Sequence, residues 1–576
     1  MTAMRAPATS LRRDAALVGL LTLAVFSPTL GNDWVEWDDL LNFGENPHYR
    51  GLGWPQLVWM FTVAWGGHWT PISWLTLSLD YVLWGMNPVG YHLTSLLWHA
   101  ANAALVLVVA TRLLRRAWPE AGAGTLRLGA ATAALFFALH PLRVESVAWI
   151  TERRDLVSGF FYLLTVLGWL AALERVGDAR RRRQWAALGA YALALLSKSI
   201  VISLPLVLLV LDVYPLRRLT AGNWRTPDGR RVLLEKVPYL VMALIVTVLS
   251  VVSFRSRVST FDDYPLTARI GMVAYSLVFY VWKTLVPADL SPIYELPWRV
   301  SLLDAAFLVS TLVAVVAAVA LVVARRWWPA GLAVAVVYGL ALSPVSGVVH
   351  AGPQLVADRY SYLATLGLAL LLGGALMAVV TRSAAGELRP GLDRLVIGAV
   401  GVWMLVLAAL TIVQVGVWHD DRTLWEHALA IDPDCGHCHK AFARYQATSG
   451  EAEKRFRRML DANAHDIDAR MRLGAVLVQQ RRYAEAEREL RTVLREAPDT
   501  PDALAFLGVA LFESERPAEA VPILQRAVLL APAAPLAHFA IARSLQMLGR
   551  DGEVGPHIVA LERFEPRLAE RVKRRW

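Results

Sequence analysis

Acidic residues crowd a short stretch near the start of the chain, "NDWVEWDDLLNF" (32–43), where Asp33, Glu36, Asp38 and Asp39 follow directly on an apolar run. A carboxylate at the mouth of a membrane helix can act as general base toward a hydroxyl acceptor; the plain alternative is solvation at the interface. Further on, "HPLRVESVAWITERRDLVSG" (140–159) gathers His140, Arg143, Glu145, Glu152, Arg153, Arg154 and Asp155 between two apolar runs. Ionisable groups at such depth are costly, and they face a cavity or one another. "LSKSIV" (196–201) sets Lys198 in a tight apolar hairpin. An anionic lipid phosphate is a natural partner for it, and snorkelling to the headgroups is the alternative. "VADRYSYLA" (356–364) flanks Arg359 with Tyr360 and Tyr362, and a guanidinium clamps a phosphate through two parallel hydrogen bonds. Arg255, Arg257, Asp262 and Asp263 form a fifth polar loop with no assigned role.

The elements that must position these groups are membrane helices. Of the 576 residues 56% are hydrophobic and only 18% charged, and runs of about 20 apolar residues recur, each able to cross roughly 30 Å of hydrocarbon. Tryptophans 34, 37, 54, 59, 65 and 69 fall where interfacial aromatics belong. The net charge of +10 does not point to nucleic acid, because its densest run, Arg180 to Arg183, lies between two apolar segments and reads as a cytoplasmic loop. Eleven spans are expected, near 14–30, 91–113, 126–141, 156–173, 184–197, 199–214, 233–253, 302–324, 330–349, 360–380 and 394–417. The first is read as an uncleaved span, since no small-residue cleavage site precedes Trp34. With the N-terminus in the cytoplasm, the arginine-bearing loops at 112–116, 180–183, 217–231, 325–326 and 382–394 all stay there. Segment 271–287 then lies in the outer interface, and the polar clusters share the non-cytoplasmic face with the C-terminal region.

Composition changes near residue 418: residues 1–418 are apolar runs with short loops, whereas 419–576 are charged and helical. "IDARMRLGAVLVQQRRYAEAERELRTVLREAPDT" (467–500) aligns with "PDALAFLGVALFESERPAEAVPILQRAVLLAPAA" (501–534) at a 34-residue period, matching Gly474 with Gly508, Ala486 with Ala520 and Pro498 with Pro532. That is the helix–turn–helix signature of tetratricopeptide repeats, with small residues where paired helices touch and proline ending the second helix. A degenerate copy follows from 535, a shortened one covers 436–466, and 422–434 reads as a lone second helix stacked on the membrane domain. The only two cysteines stand in "DPDCGHCHKAF" (432–442). Cys435, Cys438 and His439 spell the haem attachment string, and zinc could be offered Cys435, His437, Cys438 and His439, though adjacent ligands crowd one another. A short disulfide between Cys435 and Cys438, or two free thiols in a turn, is the favoured reading.

In order, "WDD…ENP", "HP…ES VA…RRDL", "SKS", "ADRYSYL" and then the repeats resemble the transmembrane, tetratricopeptide-repeat O-mannosyltransferases, and more broadly the multi-spanning GT-C glycosyltransferases that use polyprenyl-phosphate sugars. The most specific part is the block from His140 to Asp155, where family members carry an "HP–TEAVA–GRADLL"-like run. This chain departs there, with Thr151-Glu152-Arg153-Arg154 before Asp155, and again at "HWTP" (68–71), where the family tends to carry "RP". The resemblance implies an all-α, GT-C-like polytopic bundle over 1–418 followed by a repeat solenoid over 419–576. It implies a paired acid, Asp38 and Asp39, one of which is the base, and puts Lys198, Arg359 and Arg154 near the donor phosphate. His68, His140, Glu145, Asp155, Tyr360 and Tyr362 are supporting outer-loop residues. It implies transfer of a sugar, mannose in the family, with inversion, onto a protein or glycan recruited by the repeats; no cofactor is expected, and no metal, since "WDD" offers few additional ligands of definite spacing. The alanine- and arginine-rich composition suits a high-GC bacterium, hence an inner membrane with periplasmic repeats; the eukaryotic equivalent is the endoplasmic reticulum. Two other readings compete: an oligosaccharide polymerase or ligase acting on lipid-linked glycans, and a non-enzymatic membrane-anchored repeat scaffold.

Overall fold

The computed structural model describes residues 8–35, 37–44, 46–254, 264–297, 299–348, 352–445, 450–564 and 566–573. Glu36 and the loop holding Arg255, Arg257, Asp262 and Asp263 lie outside them. Regular structure is almost entirely helical; the described residues add one short antiparallel pairing, Tyr294–Glu295 with Gln354–Val356. The chain divides into two compact units, Met1–Ile431 and Asp432–Trp576. The expected fold class, an all-α polytopic bundle followed by a repeat solenoid, is borne out.

Among the described residues seven helices are long and apolar enough to cross a membrane: Ser10–Gly31, Pro88–Ala117, Ile150–Leu173, Pro227–Ser253, Ala305–Ala324, Leu366–Ala384 and Leu392–Val417. Ala123–Ala138 and Pro141–Ala148 make an eighth, bent by 56°. The chain is a multi-pass membrane protein. The expected count of eleven is not met by length. Segments 199–214 and 330–349 form the shorter helices Ser199–Val213 and Pro329–Leu342, and at 1.5 Å per residue such helices cover only about 20 Å. The expected span 184–197 belongs to Gly177–Leu195, whose first half carries Asp178 and the four arginines 180–183. Segment 271–287 falls largely in the 20-residue helix Leu266–Leu285.

Two features of the bundle bear directly on the site. The first is the break at Leu139–His140. Pro141 has no N–H to give and starts a fresh turn, and the His140 ring nitrogen Nδ1 accepts from the Leu142 N–H at 3.2 Å. The bend swings Arg143 and Glu145 inward, where irregular backbone at membrane depth is tolerated because it lines protein and not lipid. The second is a close approach of Ala123–Ala138 to Leu366–Ala384. A Cβ added to Gly373 would sit 2.2 Å from the Gly129 carbonyl oxygen, and one added to Gly129 would sit 2.8 Å from the Gly373 carbonyl. Backbone cannot step aside as a side-chain tip can, so small residues are what let these helices touch. Gly373→Leu is expected to cost about 1–3 kcal/mol or more by overpacking, read as a lowered unfolding temperature in detergent. An unchanged transition would mean the two helices are not held at this distance.

The polar residues at the other ends of the helices pair among themselves. Asp212, buried with Lys236, takes Lys236 at 2.5 Å and Arg218 at 2.7 Å, while Glu235 takes Arg180 at 2.5 Å and Arg218 at 2.8 Å.

In the second unit, helix pairs Ile467–Gln479/Tyr483–Glu496 and Pro501–Glu513/Pro517–Leu530 follow the expected repeat, and Pro535–Met547/Gly555–Phe564 continue it. Pro501, Pro517 and Pro535 stand at first helical positions, where the missing N–H costs nothing. A Cβ on Gly474 would meet Leu490 at 2.5 Å, and one on Gly508 would meet Leu524 at 2.2 Å, which is why glycine recurs at the period. Cys435 and Cys438 are joined by a disulfide, both buried. The boundary lies one helix later than composition suggested. Asp421–Ile431 belongs to the first unit: Leu424 and Trp425 are buried there, Trp425 meets the ring of Trp37, and His427 Nε2 lies 3.0 Å from the Leu290 carbonyl.

Candidate active site

The loop after the first membrane helix is stapled down at several points. The Asp33 N–H donates to the His419 carbonyl at 2.8 Å, and the Asn32 amide to the Val415 carbonyl at 3.3 Å. Asn42 donates to Thr151 Oγ1 at 3.1 Å. Asp39 closes the staple, accepting from the Thr151 hydroxyl at 2.6 Å and from the Thr151 and Val35 N–H groups at 3.2 Å each. The two members of the acidic pair therefore live differently. Asp39 is 2% exposed and occupied by these donors, whereas Asp38 is half-buried and close enough to Arg154 to interact with it electrostatically.

Burial pushes the Asp39 carboxyl up to about 7; the hydrogen bonds from Thr151 and Val35 oppose this, and the charge of Asp38 adds to it. Across the window from the ordinary value of 3.8 to about 7, the unfolded chain has released a proton that the folded chain still holds. Stability from this group is therefore greatest below about pH 4 and falls as pH rises to about 7. Wild type compared with Asp39→Asn should lose relative unfolding temperature across that window, and a pH-independent difference would show that Asp39 does not titrate there.

Behind the loop lies a network of ion pairs. Glu152, fully buried, receives Arg154 at 2.6 Å on Oε1 and at 3.2 Å on Oε2, and Lys198 at 2.6 Å on Oε2. Arg359 Nε stands 3.4 Å from Glu152 Oε1. Lys198 also reaches Asp155 at 2.8 Å, and Ser146 donates to Asp155 at 3.3 Å. Glu145 holds Arg359 twice, through a guanidinium contact and through the Arg359 N–H at 2.7 Å. Four separate elements thus converge: the short helix Val144–Ala148, the turn Ile150–Glu152 entering the long helix, Lys198 just before Ser199–Ser203, and the turn Asp358–Tyr360. Trp37 stacks on Trp149 with ring centres 4.7 Å apart, and the Arg359 guanidinium lies 5.4 Å from the Trp149 ring centre and 5.0 Å from that of Tyr360.

The structure therefore brings together Lys198, Arg154, Arg359, Glu145 and Asp155, with Tyr360 and Tyr362 lining the same small pocket beside Arg359 and Asp155. Tyr362 is also a structural post, its hydroxyl meeting His99 Nδ1 and the Asn102 amide at 2.9 Å each. His140 caps the helix break and lies 3.0 Å from the Thr284 carbonyl, so its part is to shape the bend. His68 closes a tight turn with Trp65 in the outer loop.

Sequence reasoning passed over Glu152 as a site residue, and with it Asp80 and Asp358. Asp80, buried, pairs with the buried Arg153 and accepts from Thr94 at 2.8 Å. Asp358 accepts from the Tyr294 hydroxyl at 3.0 Å, and burial together with the charge of Glu145 pushes its carboxyl well above the carboxylate range. The available signal for Glu152 was its place two residues before Arg154 in a turn that opens a membrane helix. The other two depend on contacts far along the chain.

From the pocket an apolar groove opens at Tyr162. It has a volume of about 130 Å³ and runs between helices past Leu163, Val166, Val207, Leu211, Val334 and Leu370.

A family model described as tetratricopeptide repeat matches residues 471–538. Protein O-mannosyl-transferase Tmtc2 of Drosophila melanogaster is 38% identical over 152 residues, which is 26% of this chain and 15% of that protein. Protein O-mannosyl-transferase TMTC4 of Homo sapiens is 33% identical over 108 residues, 18% of this chain and 15% of that protein. The resemblance carried by the motifs is borne out. These matches span only about a seventh of the length of the relatives, 15% in each case. Among solved structures, ArnT from Cupriavidus metallidurans bound to undecaprenyl phosphate aligns over 93% of this chain and 77% of its own, with 16% identity and a TM-score of 0.35.

Proposed function

We propose that this chain is an integral-membrane glycosyltransferase that moves a sugar from a polyprenyl-phosphate donor to a hydroxyl acceptor outside the cytoplasm. The observation that carries this reading is a half-buried carboxylate, Asp38, within electrostatic range of Arg154, itself one of three cations gathered on Glu152. A base and a phosphate-binding face side by side are what direct displacement at an anomeric carbon requires. Asp38 takes the proton of the acceptor hydroxyl, whose oxygen attacks the anomeric carbon from the side opposite the phosphate. The C–O bond to the phosphate breaks with its electron pair, leaving polyprenyl phosphate, and the configuration inverts. Arg154, Lys198 and Arg359 stabilise the charge that gathers on the departing phosphate, more effectively at this depth than in water. The apolar lining of the groove at Tyr162 suits an isoprenoid chain.

The names of the related proteins support mannose as the sugar and a protein as the acceptor. The repeats are proposed to recruit that acceptor across their concave surface. The arginine bias of the loops favours site and repeats on the non-cytoplasmic face, the periplasm in a bacterium. The test is transfer by purified protein in nanodiscs, offered radiolabelled polyprenyl-phosphate mannose with periplasmic extract. Label in an acceptor supports the reading; donor left intact across several sugars and acceptors would overturn it.

A further inference from the structure

The donor site is charge-balanced before any donor arrives, and one residue touches every cation in it. Arg154, Lys198 and Arg359 are matched by Glu145, Glu152 and Asp155. Within the inner set the three carboxylates are not equivalent. Glu145 engages Arg359, and Asp155 engages Lys198, whereas Glu152 contacts all three cations. Depth separates them too. The Glu152 side chain is 0% exposed, while those of Arg154, Lys198 and Arg359 are 14%, 13% and 7% exposed. The carboxylate is thus more deeply buried than any of the cations it holds.

We propose that Glu152 is a specificity-determining residue that limits the negative charge the donor site accepts, restricting it to phosphodiester donors with one charge and turning away diphosphate-linked ones. This rests on the donor reading given above. A phosphodiester brings one negative charge to a neutral cluster and shares the N–H groups of the cations. A diphosphate brings a second charge that no cation is left to match, at a cluster built on the buried Glu152 carboxylate. In a partly buried site such an unmatched charge is expensive. Glu152 touches no reacting atom on this account; it acts through the cations it holds.

The test measures binding of two synthetic conjugates, farnesyl phosphoryl-mannose and farnesyl diphosphoryl-mannose, to the full-length protein in nanodiscs, and takes the ratio of their Kd values. In wild type the diphosphate binds more weakly. In Glu152→Gln the cluster gains a net positive charge, and the ratio should fall by roughly ten- to a thousandfold, the worth of one charge at about 12 to 4 Å in an effective dielectric near 20. Glu152→Asp keeps the charge and should keep the ratio. Lys198→Gln shifts the balance the other way and should raise the ratio, which keeps the test decisive if Glu152→Gln does not fold. A merely structural role for Glu152 would lower the unfolding temperature and leave the ratio alone. An unchanged ratio in folded Glu152→Gln, or a fall in Lys198→Gln, overturns the proposal, as does wild type binding neither conjugate. Binding with the expected ratios but no sugar transfer would sink the glycosyltransferase reading and leave the charge limit standing.

Discussion

Asp38→Asn is expected to abolish sugar transfer in a protein that still folds and still binds its donor. The two adjacent acids are chemically identical in sequence, and their surroundings separate them. Asp39 is buried and holds three donors from Thr151 and Val35, so its carboxylate is committed to anchoring the loop. Asp38 is half-buried and set near Arg154. A base must reach the proton it removes, and loss of such a base costs roughly 10²- to 10⁴-fold in rate. Asparagine keeps the size and loses the proton affinity, so kcat should fall in that range with the unfolding temperature nearly unchanged. Asp39→Asn, by contrast, should lower stability first and activity through it. Initial rates at saturating donor, beside unfolding curves for each variant, separate the two roles. Retention of more than a tenth of the activity in Asp38→Asn would place the base elsewhere.

The largest expected loss of stability comes from Asp80→Ala. Arg153 and Asp80 face each other with side chains 0% and 2% exposed. Arg153 is further tied to the Tyr91 carbonyl at 2.5 Å and to Ser95 Oγ at 3.2 Å, and its guanidinium lies 5.7 Å from the Tyr91 ring centre. Removing the carboxylate leaves a buried guanidinium without its counter-charge, a change that costs about 3–5 kcal/mol. Replacing both partners, in Asp80→Leu with Arg153→Met, removes the stranded charge as well and should recover much of that loss. Unfolding temperatures of the single and double variants in one detergent test this. Equal losses in the two would mean that packing volume, and not the uncompensated charge, sets the effect.

The pair also explains the step from the outer loops to the site. Arg153 opens the helix Arg153–Leu173, and its sequence neighbours Glu152 and Arg154 pair with each other. Holding Arg153 in place therefore orients the residues that gather the cations. Loss of Asp80 is accordingly expected to weaken donor binding without any direct contact to it.

Much of this protein was legible along the chain. Apolar runs of membrane length and the bias of arginine among the loops reveal a polytopic protein without any tertiary information, because lipid demands long uninterrupted helices. The repeat was legible for a similar reason: Gly474 and Gly508 recur at a period of 34 because each must pass beneath a leucine of its own partner helix. Lys198, Arg154 and Arg359 stood out as cations in apolar surroundings, where a charge needs a reason to be present.

What the sequence could not decide depends on partners distant along the chain. It could not divide Asp38 from Asp39, since that rests on Thr151 lying 112 positions away from Asp39. It could set the helix at 422–434 against the membrane domain but not name its contacts, since only the fold brings Trp425 to Trp37 and His427 to Leu290. It counted short apolar helices as full spans, as hydropathy reports composition and not the length that packing allows. The role of Glu152 was hidden most completely. A single acid among arginines reads as a local salt bridge, and only the folded bundle carries Lys198 and Arg359 to the same carboxylate. Hydrophobic pattern and repeat period are local properties, which residue types determine by themselves; charge balance at a site is a property of what tertiary packing assembles.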